Sequence, residues 1–184
     1  MMPIGPLMIE HRLIERVIGL LDGWTGKVAE QGQIDPTVID TVVDFIRTYA
    51  DRTHHGKEED ILFRDWADKP LSEEDRNLMQ ALVEEHVYAR ETVGALVQAK
   101  ARYVRGDGAA SAEALSVILQ KLNVLADLYP GHIEREDKAF FPAAIEYLDR
   151  SEQDAMLQEM WKFDRRMIHE KYRAVVERLE GESL

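Results

Sequence analysis

The sequence predicts an all-α protein: an up-down four-helix bundle with an added C-terminal helix. Three observations carry this reading. Apolar residues recur at three- and four-residue spacings in every long segment, as on one face of a helix. No segment alternates apolar and polar residues as a half-buried strand does. Short polar turns built on Gly, Pro, Asp and Ser separate the periodic segments. With 184 residues the chain is sized for one domain spanning 1–184, with a bundle core over 7–148 and the extra helix over 151–181.

The first helix is read from Leu7 to about Val28 through Ile14, Val17, Ile18 and Leu21. Asp35-Pro36 marks the second start, an acidic cap followed by proline at the first helical position, where its missing N–H costs nothing. Val38, Val42, Phe45, Ile46 and Tyr49 continue that helix, which runs to about Trp66 before Pro70. Ser72 and Asp75 have the spacing of a capping box and open a third helix through Leu82, Val83, Val93 and Val97 to the Gly106-Asp107-Gly108 turn. A fourth runs from Ser111 to Leu148, with a kink expected at Pro130-Gly131 because proline removes a helical hydrogen bond. Ser151 with Asp154 caps the fifth.

Composition narrows the chemistry. The net charge of −12 argues against nucleic acid as a partner, since phosphate backbones are held by clustered Lys and Arg. With no cysteine, disulfides, thiolate metal sites and thiol catalysis are excluded, leaving nitrogen and oxygen donors. No window approaches the ~18 uninterrupted apolar residues of a membrane span, and the N-terminus lacks a basic, apolar leader pattern. A cytoplasmic protein that contacts no membrane is the expectation.

Four of the six histidines form a repeat. The first and third helices carry Glu10-His11 and Glu85-His86. The second and fourth carry His54-x-x-x-Glu58 and His132-x-x-x-Glu136, each followed by an apolar residue and phenylalanine, Leu62-Phe63 and Phe140-Phe141. The offsets are 75 residues from His11 to His86 and 78 from His54 to His132, the mark of a duplicated helical hairpin. On a helix, positions i and i+4 share a face, so each pair offers an imidazole and a carboxylate to one point. In an antiparallel bundle all four histidines reach one level. Four imidazoles and two carboxylates exceed the roughly four ligands of one zinc and suit two metals bridged by the carboxylates.

These residues resemble the hemerythrin-like proteins, the HHE cation-binding domains, over Leu7 to about Pro142. The resemblance rests on Leu7-Met8-Ile9-Glu10-His11-Arg12, His54-His55-Gly56-Lys57-Glu58-Glu59, Glu85-His86, and His132 to Glu136 with Phe140-Phe141-Pro142. It implies that His11, His54, His86 and His132 are terminal ligands and Glu58 and Glu136 bridges of an oxo- or hydroxo-bridged pair of iron ions. Aligning Leu62-Phe63 on Phe140-Phe141 selects His54 and Glu58; His55 and Glu59 then sit about 100° further round, as an outer or surface pair. Glu10 and Glu85 are expected in solvent and Tyr129 in the core. Oxygen-carrying hemerythrins have a second histidine where Arg90 stands, so one position is left to water, a tyrosine, His169 or nothing.

The function this implies is non-haem di-iron binding of dioxygen or another small oxidant for sensing, scavenging or storage, with a protein partner possible. The alternatives are a di-iron enzyme of peroxide or nitric-oxide-linked chemistry, or a metal-storage protein. No catalytic residue is assigned.

Overall fold

The computed structural model describes residues 2–181, apart from the side chains of 22, 168–170 and 172–181. The described residues form five helical rods and no strand. Rod one is α1 (Ile4–Gln31). It stops at Gly32, whose left-handed φ of 67° turns its N–H back onto the Val28 carbonyl. Rod two joins α2 (Pro36–Phe45), two π-helical stretches, Ile46–His55 and Glu58–Phe63, and α3 (Arg64–Ala67). Rod three is α4 (Glu73–Arg105). Rod four joins α5 (Gly108–Arg135), a π-helical stretch Glu136–Phe140, and α6 (Phe141–Glu146); rod five is α7 (Arg150–Gly181). The expected bundle with an added C-terminal helix is the observed architecture.

Local chemistry sets the boundaries. Asp35 Oδ1 accepts from the Thr37 N–H, 2.9 Å away, with Pro36 at the first helical position. Ser72 caps α4 by accepting from the Asp75 N–H, but the reciprocal half of the box is rewired. Asp75 accepts from the Ser72 and Tyr147 hydroxyls, while the Ser72 N–H donates to Tyr147. The cap of α7 is Asp149 rather than Ser151: Asp149 and Glu152 each accept the other's backbone N–H at 2.9 Å. The interruption expected at Pro130 also moves. Pro130 lies inside α5, and the helix widens only at Glu136–Phe140. Pro142 explains this position: its ring crowds the carbonyl four residues back, on Lys138, and a wider turn accommodates it.

Two apolar clusters fill the bundle and leave a polar layer between them. One holds Ile14, Ile18, Ile46, Val93, Leu96 and Leu125. The other holds Leu7, Leu62, Trp66, Leu82, Phe140 and Phe141. On each of the first four rods the residues singled out by the repeat fall between these clusters, so the packing that closes the bundle also seals their level from water.

Candidate metal centre

All six residues of the predicted set lie in the layer between the clusters, each at most 3% exposed. They divide into two groups. His11, His54, Glu58 and Glu136 place donor atoms within 4.8 Å of one another, and His86 and His132 do so with His55. Each carboxylate faces both groups. Glu58 Oε1 is 3.4 Å from His54 Nε2 and its Oε2 is 3.6 Å from His86 Nε2. Glu136 Oε2 is 3.1 Å from His11 Nε2 and its Oε1 is 3.3 Å from His132 Nε2. This is the disposition that two bridges between neighbouring cations require.

Of the outer or surface pair expected at His55 and Glu59, Glu59 lies outside the layer on His86 Nδ1, while His55 is not at the surface: it is 2% exposed and its ring stacks on His86 with centroids 3.8 Å apart. The reason is local. His54 and His55 end a π-helical stretch, whose wider turn separates neighbouring side chains by less than the ~100° of an α-helix, so both imidazoles face inward. His55 therefore brings a further imidazole into the layer, where Arg90 brings none. Arg90 instead binds Asp51 and Glu59 at 2.7 Å. His169 lies outside the described side chains.

Glu10 and Glu85 are likewise not merely solvated. A ring of acids runs from rod to rod: Glu10 on His54 Nδ1 (2.9 Å), Glu59 on His86 Nδ1 (2.7 Å), Glu85 on His132 Nδ1 (2.8 Å), and Asp137 on His11 Nδ1 (2.7 Å). A carboxylate on Nδ1 fixes the tautomer that leaves Nε2 with its lone pair toward the interior. Each acid also meets a cation on the histidine's own rod, respectively Lys57, Arg90, Arg135 and Arg12. The sequence signal was present but unread: every one of these acids adjoins a predicted ligand. Phe141 and Phe63 complete the enclosure by stacking on His11 and His86.

The electrostatics ask for cations. Burial and the neighbouring Glu136 push the Glu58 carboxyl well above the usual carboxylate range. Burial also pushes Glu136 up, but His132 and His11 outweigh it and hold that group below its ordinary value. Two carboxylates sharing one dry space do not both ionise without positive charge beside them. Burial pushes His54 down to about 4 and His55 well below its ordinary value, so both are neutral donors at pH 7. His11 and His86 are also opposed by burial, yet Glu136 with Asp137 or Glu59 raises both.

Whether the residues fit a metal pair is decided by what they leave unmet. His11 Nε2, His54 Nε2, both ring nitrogens of His55 and all four oxygens of Glu58 and Glu136 are buried without hydrogen-bond partners, their mutual contacts lacking hydrogen-bond geometry. A buried polar atom left unmet costs ~1–3 kcal/mol, so a dry layer this rich in them is unfavourable without a further partner. Cations bound here relieve that cost.

A helical bundle with an enclosed imidazole and carboxylate layer defines a metal-binding protein of the nitrogen and oxygen donor class. The family model of the hemerythrin HHE cation binding domain matches residues 2–144, and the chain belongs to that family. No curated protein and no solved structure matches it.

Proposed function

We propose that this protein holds a pair of iron ions and binds dioxygen or a related small oxidant there, in oxygen or redox sensing, scavenging or storage. The observation that carries the reading is the facing of Glu58 and Glu136 toward both histidine groups. His11 and His54 would hold one ion, His55, His86 and His132 the other, and the two carboxylates would bridge them. Nitrogen and oxygen donors of this kind suit iron, which would supply reversible electron transfer to an oxidant. The chain's own residues do the rest. The acids on Nδ1 fix the imidazoles, the phenylalanines keep water out, and His54 and His55 need give up no proton at neutral pH.

Access supports a small ligand. A cavity of about 200 Å³ lies between rods two, three and four, with His55 and Tyr129 inside and the exposed Arg47 and Arg90 at its outer wall. Burial pushes the Tyr129 phenol far up, so its unpartnered hydroxyl keeps its proton as a donor. The test is anaerobic reduction of the iron-loaded protein followed by dioxygen or hydrogen peroxide. A visible band that returns on each re-exposure supports binding, and steady loss of peroxide supports turnover. An unchanged spectrum with either oxidant would overturn the oxidant reading and leave metal storage.

A further inference from the structure

Three of the four acid and cation pairs end in arginines at the surface: Arg12 is 57%, Arg135 42% and Arg90 37% exposed. The fourth is different. Lys57 has no exposed surface, and its ammonium lies between Glu10 and Asp164, with Asp164 Oδ1 at 2.7 Å. Asp164 belongs to α7, which lies beyond the residues matched by the family model. Beside it Phe163 rests on Gly56, so closely that a Cβ there would stand 2.8 Å from the ring. A buried ammonium is stable only when its partners stay in place. Here one partner comes from α7 and the other orients His54.

We infer that α7 is a working part of the metal centre: Asp164 and Phe163 hold the Lys57 ammonium on Glu10, and through Glu10 position His54 at one metal position and not at the other. The inference rests on the proposed metal pair. Asp164 and Lys57 are positioning residues, and their loss acts selectively. The coupling runs along one line, Asp164 to Lys57 to Glu10 to His54. His86 and His132 are oriented by separate acids, Glu59 and Glu85, whose ion pairs are to Arg90 and Arg135 of the bundle, although Phe163, Arg166 and Met167 of α7 line a surface cavity with Glu59.

The test is titration of the full-length chain with cobalt(II), followed by visible absorption and competition with a chromophoric chelator. Wild type takes up two cobalt ions. Asp164→Ala, Lys57→Met and Gly56→Ala, the last displacing Phe163 without removing a charge, each weaken one binding step by about 10–100-fold, as loss of support behind a ligand does, and leave the other step within about threefold. Arg135→Met, which breaks an exposed pair, changes either step by less. Equal weakening of both steps would overturn the inference, reducing α7 to a brace for the bundle, as would unchanged affinities in all three variants. A wild-type chain that binds no cobalt would overturn the metal pair and the coupling together, a result distinct from loss of coupling alone.

Discussion

The two halves of the centre descend from one repeated pattern and differ in what surrounds them. The half around His11 and His54 is closed. Phe141 covers His11, and the buried Lys57 with α7 covers the acid behind His54. The half around His55, His86 and His132 borders the 200 Å³ cavity, with charged residues at its outer wall. Duplication thus supplies matched donors, while His55 and α7 break the match. On the proposed metal pair, the difference assigns the two positions separate tasks: the closed one would retain its ion, and the one beside the cavity would meet whatever enters.

The largest effect expected is from the shared groups. Glu58→Ala or Glu136→Ala removes a donor from both halves and drops metal content from about two per chain toward none, because each carboxylate faces both positions. Metal analysis after gel filtration reads this out, and retention of one tightly held ion would show that the halves are more independent than their geometry indicates. His55→Ala comes next: it takes the third imidazole from the cavity half alone and leaves about one metal per chain, whereas two retained metals would return His55 to an outer role. Smaller again is Val93→Phe, which fills the cavity wall. It slows azide association with the iron-loaded protein by roughly tenfold while both metals stay, and an unchanged rate would place the access route elsewhere.

The smallest effect is on protons. His11, His86 and Glu58 are raised, so each keeps its proton to a higher pH than the free group and metal must displace whatever proton it holds; His54, pushed down to about 4, holds none near neutral pH. The sign follows: affinity falls as pH falls, and protons released per metal pair increase from about pH 8 to about pH 6. Calorimetry in buffers of different ionisation enthalpy measures the count. A flat count would mean that these groups are already unprotonated.

Much of this was legible in the sequence. The rods, the cap at Asp35 and the six repeat residues follow from periodicity and spacing, because helical faces are local properties. The inward turn of His55 was not, since it depends on a π-helical stretch that α-helical spacing does not anticipate. The ring of Glu10, Glu59, Glu85 and Asp137 also escaped, because each acid serves a histidine on the next rod, far away in sequence. Asp149 displaced Ser151 as a cap for a simpler reason: both spacings satisfy the pattern, and only packing decides between them.

The central claim is two neighbouring metal positions joined by Glu58 and Glu136. Its most direct test is Mössbauer and electron paramagnetic resonance spectroscopy of the protein loaded with iron-57, with iron counted on the same sample. The account predicts about two irons per chain, in two distinguishable environments, magnetically coupled and silent in the oxidised state. A single iron per chain, or two uncoupled irons with the resonance of isolated ferric ions, would contradict it.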